Sequence, residues 1–280
     1  FQACGFRTWL RELEPGQADL PARTVSADAQ ASVFDRSHYE TVLSLEALDR
    51  WVEALMASDE AAVDTETTDL DPMRARMLGI ALAVDENKAC YIPLGHEGLD
   101  QATQLDREIV LERLRPWLCS ANHRKLGQNI KYDLHVFENH GIFLEGVSED
   151  SLLASYVLEA HRHHDMDSLA ERHLKHRTIT YDDVTGKGTG RIPFSQVPIE
   201  RAAPSAAEDA DVTLRLCRYF RKRLSAEPAL DAIYRKVEVP VMKVLQAVER
   251  HGVLVDTAQL LAQSDDLQVQ LTDLEHQAHQ

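Results

Sequence analysis

The sequence predicts an α/β fold in which helices pack around a mixed sheet, and three observations carry that expectation. Strand-like apolar runs at 61–67, 77–84 and 89–94 are separated by short polar connections, the pattern of an antiparallel meander. From Asp106 onward the apolar residues fall at helical spacing, with Ile109, Val110, Leu114 and Trp117 on one side. A further strand-like segment around Lys125, Leu126 and Gly127 then precedes another helical stretch. A meander followed by alternating helix and strand makes a mixed sheet covered by helices.

Taken in order, residues 1–37 open with a short amphipathic piece, Phe6-Arg7-Thr8-Trp9-Leu10, and continue as a polar, alanine-rich linker. A helix is expected over 45–57, where Leu48, Trp51, Val52 and Leu55 share a face. The three strands of the meander follow. After the strand near 125–127 comes a helix over 130–139, and the chain to about 224 reads as helices joined by loops. Pro228 marks a break, so a domain boundary is expected near 226. A helix over 233–250 comes next, with Gly252 suited to its C-terminal cap. Leu260, Leu267, Leu271 and Leu274 then recur at helical spacing up to the end of the chain, with no cap after them. With no initiator methionine at Phe1, the chain reads as a piece of a longer polypeptide.

Composition narrows the function classes. With 280 residues, 44% of them hydrophobic, one sizeable core and an appendage can form. No apolar run approaches the ~20 residues that span a bilayer, and no secretory signal opens the chain. Cys4, Cys90, Cys119 and Cys217 are scattered, fitting neither a disulfide framework nor a zinc site, so a reducing cytoplasm is expected. Thirty basic against 46 acidic residues leave a formal charge of −16, unlike the basic face of most phosphate binders. That balance lowers the expected affinity for nucleic acid without excluding an enzyme that grips one strand end through metal ions.

Chemistry concentrates in three segments. In Ala61-Ala62-Val63-Asp64-Thr65-Glu66-Thr67 the two acids are two apart on a strand, so they project from one face. Adjacent carboxylates repel unless a cation compensates, and hard divalent ions favour such oxygen ligands. Alone, the pattern also fits a solvated strand end. In Gly127-Gln128-Asn129-Ile130-Lys131-Tyr132-Asp133, Asn129 and Asp133 are four apart and would share a helix face. Ser205 and Asp209 stand in the same relation in the segment 205–213, although acids near a helix start often serve only capping and the dipole. The His161, His163, His164 cluster has no standard zinc spacing. Thr185-Gly186-Lys187-Gly188-Thr189-Gly190 lacks the spacing of a phosphate loop and reads as a mobile loop near the substrate path. No Ser-His-Asp or Cys-His arrangement is supported.

Together the segments are more specific. D-x-E on a strand, then N-x-x-x-D, then an acid on a late helix is the order of the DEDD exonuclease superfamily. The wording of Gly127 to Asp133, of His164-Asp165-Met166-Asp167-Ser168-Leu169-Ala170, of Lys175 to Thr180 and of Ala206 to Thr213 resembles the 3′→5′ exonuclease domain of bacterial DNA polymerase I. The resemblance covers about 38–225 and continues weakly on both sides. It implies residues 1–37 as a linker after a 5′-nuclease domain, 38–226 as the exonuclease domain and 227–280 as the truncated helical start of a polymerase thumb. It also implies a ribonuclease H-like fold, with helices around a mixed five-stranded sheet.

The same resemblance implies stepwise hydrolysis from a single-stranded or frayed DNA 3′ end, proofreading for a polymerase in the same parent chain, in a bacterial, nucleoid-associated setting without a membrane. Two divalent ions, Mg²⁺ or Mn²⁺ with Zn²⁺ admitted at one site, are implied: one held by Asp64, Glu66 and Asp209, the other by Asp64 and Asp133. Leu70, Gln128, Asn129, Tyr132 and Tyr181 fall at substrate-contacting positions, and His163 or Arg162 falls where the family has an arginine. One departure stands out. Where the family carries a tyrosine that helps position the attacking water, this chain has Ser205. Reduced activity is therefore expected. The rival readings are a non-catalytic module that binds DNA ends or braces the polymerase, and an RNA-trimming relative with the same acids.

Overall fold

The computed structural model describes residues 34–98 and 103–279. The amphipathic piece at Phe6–Leu10, the body of the expected linker and Cys4 lie outside them. A two-residue strand β1 (Glu40–Thr41) leads into helix α1 (Leu45–Ala57), which Ser44 starts by accepting the Ala47 N–H at 3.2 Å. The meander follows as β2 (Glu60–Thr67), β3 (Met77–Asp85) and β4 (Lys88–Pro93). Next come α2 (Arg107–Leu118), capped by Asp106, then β5 (Arg124–Gly127), α3 (Ile130–Asn139), β6 (Val147–Asp150) and α4 (Ser151–Glu159). Short helices α5 (Met166–Leu169) and α6 (Tyr181–Thr185) precede the long α7 (Ile199–Ser225). The C-terminal part holds α8 (Pro228–Ile233), α9 (Val239–His251) and α10 (Thr257–Ala278).

The sheet runs β1-β4-β3-β2-β5-β6. β2, β3 and β4 pair antiparallel as the meander pattern requires, while β1 joins β4, β5 joins β2 and β6 joins β5 in parallel. Among the described residues six strands therefore stand where five were expected. β1 and the four-residue β6 are too short to leave a periodic signal in the sequence.

Period-two alternation sends each strand's residues to two different cores. Ala61 and Val63 of β2, with Ile80, Leu82 and Ile92, face the helices that carry Leu48, Trp51, Leu114, Trp117 and Phe137. Ala62, Ala81, Ala83, Ala89 and Tyr91 face Ala203, Ala206, Ala207, Ala210 and Leu214 of α7. Alanine against alanine lets α7 lie close on the sheet, so its polar side chains reach the strand ends. Lys125 is buried in β5, its ammonium donating to the Ser120 carbonyl at 2.6 Å and lying 4.8 Å from the Trp117 ring.

Beyond α7 the pattern differs in detail from the sequence reading. Pro228 opens α8 as its first residue, the helical position that wants no N–H, so it starts a helix here. The single helix expected over 233–250 is two, joined by a π turn at Tyr234–Glu238. Gly252 does cap α9, at φ 67°. Met242 of α9 is buried in the same core as α3, where Glu249 accepts from the buried His135 Nε2 at 2.8 Å.

Candidate active site

Asp64 and Glu66 sit at alternate positions near the end of β2, on the face that carries Ala62. β5 pairs with β2 only as far as Ala62, so the two acids lie past the point where the sheet opens on that side. Across the other edge Glu66 is in register with Gly79 of β3, whose missing side chain leaves room for the Tyr91 ring. α7 crosses this face and brings Asp209 to the same spot. Oxygens of Asp64, Glu66 and Asp209 all lie within 4.8 Å of one another.

Asp133 approaches from α3 and is buried, its Oδ1 accepting from Thr65 Oγ1 at 2.6 Å. It stands outside the three-acid group but close enough for the Asp64 charge to act on it. Asn129 is not on α3, contrary to the shared-face expectation. It is the N-cap residue, in the left-handed region at φ 56°, which asparagine tolerates better than most residues. The helix start is held by Asp150, whose carboxylate accepts the Asn129 and Ile130 N–H groups at 3.2 and 2.9 Å and also caps α4. Gln128 is pinned as well, donating to the His164 carbonyl at 2.9 Å. Tyr132 hydrogen-bonds Thr67 Oγ1 and the Asp69 carbonyl, tying α3 to the loop after β2. On that loop Leu70 is 95% exposed.

The electrostatics follow from crowding. Burial pushes Asp64 up to about 6, and burial followed by the Asp64 charge pushes Glu66 up to about 8. Burial, then the Asp64 charge, raises Asp133 against the opposing Thr65 hydrogen bond. Asp209 is raised by burial and then by Asp64, Glu66, Glu208 and Asp167. Asp64, Glu66 and Asp209 keep some surface exposure, yet each is surrounded by protein on its remaining sides. Among the described residues the leading charges that raise the four acids are other carboxylates, and none of the four forms an ion pair with a lysine, arginine or histidine. A set of oxygen donors with no cationic partner is the donor chemistry that suits a hard divalent ion.

Ser205 lies four residues before Asp209 on α7, and its hydroxyl is engaged by backbone. It is buried and donates to the Ile179 carbonyl at 3.2 Å. Tyr181 opens α6 half exposed, its ring stacked with Phe194 at a centroid distance of 6.2 Å. His163 is exposed, and its carbonyl accepts from Arg172 at 3.0 Å. His164 engages Ser155 Oγ at 2.8 Å, so the histidine run forms no metal group among the described residues.

Three site residues escaped the sequence reading. Asp150 holds the turn before α3, Asp167 lies near enough to raise Asp209, and Glu208 is a wholly buried carboxylate beside it. Asp167 and Glu208 stand inside segments already singled out; their neighbours come from remote parts of the chain.

Comparison with known proteins gives a consistent result. A family model described as 3′-5′ exonuclease matches residues 39–225. DNA polymerase I of Pseudomonas aeruginosa is 40% identical over 98% of this chain and 30% of its own length. That of Rhizobium leguminosarum is 38% identical over 88% of this chain and 26% of its own. The chain thus spans about a third or less of these relatives. Among solved structures, the POL domain of Pol1 from M. smegmatis, in complex with DNA primer-template and dNTP, superposes with a TM-score of 0.65 at 20% identity, over 84% of this chain and 36% of that one. Escherichia coli RNase D, an exoribonuclease involved in structured RNA processing, gives 0.55 at 19%, over 77% and 51%. At such identities the two structures speak to the fold alone, a ribonuclease H-like α/β fold.

Proposed function

Since residues 39–225 make this chain a member of the 3′-5′ exonuclease family, as the exonuclease domain of a DNA polymerase I, we propose that it shortens DNA strands from the 3′ end by metal-dependent hydrolysis. One observation carries the reading. Carboxylates from β2 and α7, far apart in sequence, converge within 4.8 Å of one another. Asp64, Glu66 and Asp209 would hold one divalent ion, and Asp64 with Asp133 a second. Bound there, Mg²⁺ or Mn²⁺ supplies a water of lowered pKa and neutralises charge on the phosphate.

The remaining residues handle the strand. Leu70, an apolar side chain left almost fully in water, would press beside a terminal base. Tyr181 offers a flat face on which any base can stack. Gln128, Asn129 and Tyr132 flank Asp133 and contact the strand end, with His163 at the rim. Ser205 supplies no phenol toward the acids, so the rate is lowered, not abolished. In the parent protein the substrate would be a frayed primer end, delivered by a polymerase whose thumb begins at 227–280, and 1–37 would follow a 5′-nuclease domain. A purely non-catalytic module is disfavoured, because clustered carboxylates without a cation cost stability.

The test is a gel assay on 5′-labelled single-stranded DNA with Mg²⁺ or Mn²⁺, beside Asp64→Ala and beside an RNA strand of the same sequence. A ladder shortening from the 3′ end, absent in the mutant and in EDTA, is expected. No ladder from the unmutated chain refutes the proposal, and preferential shortening of RNA moves the chain to the RNA-trimming class.

A further inference from the structure

Glu208 has no part in the chemistry above, yet it is wholly buried one residue before Asp209. A buried carboxylate is costly unless its partners satisfy it. Here Oε1 accepts from Arg36 Nε and from His176 Nε2, both at 2.7 Å, and Oε2 accepts the Ile179 N–H at 2.7 Å. The other end of the same residue is held by Ser205, whose hydroxyl donates to the Ile179 carbonyl. α7 therefore grips residue 179 at both its N–H and its C=O. Two residues on stands Tyr181. Residues 34–39 close over this arrangement as a strap: Phe34 stacks on His176 at 3.6 Å, and Tyr39 donates to Asp211 of α7 at 2.7 Å.

We propose that Glu208 and Arg36 are positioning residues, which fix the backbone of 176–180 and thereby hold Tyr181 where the DNA strand crosses it. The inference rests on the reading of Tyr181 as a strand contact. A carboxylate is a poor choice for mere packing at this place. An uncharged acceptor would satisfy the Ile179 N–H equally well, whereas Glu208 adds negative charge beside Asp209. What the charge does is recruit Arg36, 172 residues away, and His176. It binds residues 34–39, the helix bearing Asp209 and the segment leading to Tyr181 into one network. Ser205 belongs to the same grip, its hydroxyl spent on the Ile179 carbonyl.

The experiment is a double-mutant cycle on the full 280-residue chain, read as the Kd for a 5′-fluorescein single-stranded oligonucleotide by anisotropy in EDTA. Without Arg36 the Glu208 carboxylate still keeps His176 Nε2 and the Ile179 N–H, and a thermal melt checks that each variant is folded at the assay temperature. Arg36→Ala and Tyr181→Ala are each expected to weaken binding about tenfold, roughly 1.4 kcal/mol. The double variant should be no weaker than Tyr181→Ala alone, Arg36→Lys should bind nearly as the unmutated chain does, and Glu208→Gln should behave as Arg36→Ala. Unchanged affinity in Arg36→Ala, or losses that multiply to about a hundredfold in the double variant, overturns the proposal. A chain that cleaves but shows multiplied losses refutes this positioning alone. A chain that shows the coupling yet never shortens DNA with Mg²⁺ or Mn²⁺ refutes the exonuclease reading alone.

Discussion

Replacing Glu66 by glutamine should make the metal-free protein more stable. Glutamine keeps the volume and removes the charge that Asp64 and Asp209 repel. At the 4.8 Å limit of the cluster and an effective dielectric of about 20, each ionised pair costs about 3.5 kcal/mol, so Glu66 would carry two such terms if fully ionised. The site escapes part of that by binding a proton, which caps the gain at roughly 4 kcal/mol near pH 8, about 1.4 kcal/mol for each of the three or so pH units over which only the folded chain keeps that proton. The pH dependence has a definite sign. With its folded pKa raised from 4.5 to about 8, Glu66 holds more protons in the folded than in the unfolded chain between those values. Stability of the unmutated chain therefore falls as pH rises through that window, by up to about 1.4 kcal/mol per pH unit for one proton. Urea unfolding in EDTA at pH 8 should show Glu66→Gln as the more stable protein, with the difference shrinking toward pH 5. Adding Mn²⁺ should narrow or reverse it, because the ion stabilises the intact acid set. Equal stability in EDTA at pH 8 would refute the reasoning, since the carboxylates would then not be repelling one another.

Further outcomes follow from particular contacts. A Cβ at Gly79 would lie 2.2 Å from the Tyr91 hydroxyl, so Gly79→Ala should destabilise by about 1–3 kcal/mol in urea unfolding. Leu70→Ala should leave stability within about 0.5 kcal/mol, because the side chain touches almost nothing, yet weaken binding of single-stranded DNA by anisotropy. Ser205→Tyr should raise the cleavage rate roughly tenfold or more if a phenol reaches the attacking water. An unchanged rate in the gel assay would mean that water positioning does not limit turnover.

Much of the site was legible in the chain because its signals are local. The period of two on β2 puts Asp64 and Glu66 on one face whatever surrounds them, and four-residue spacing on α7 does the same for Ser205 and Asp209. The antiparallel meander was equally visible from its three apolar runs and short connections. Other features had no such signal. β1 owes its place to pairing with β4, Asn129 stands before the helix in the left-handed region with its N–H held by Asp150, and Pro228 opens a helix that composition alone read as a break.

By itself, then, the sequence determined which acids exist, in what order and on which face of each element, because backbone periodicity sets side-chain direction within a strand or helix. Only the tertiary structure decided which of them meet. Alanines on α7 and on the sheet allow the approach that gathers Asp209 with Asp64 and Glu66, while Thr65 holds Asp133 just outside that group. Where the Ser205 hydroxyl points and how Glu208 is neutralised were settled by residues 26 and 172 positions away. Hydrogen-bond partners across such separations are chosen by packing, which no local spacing encodes.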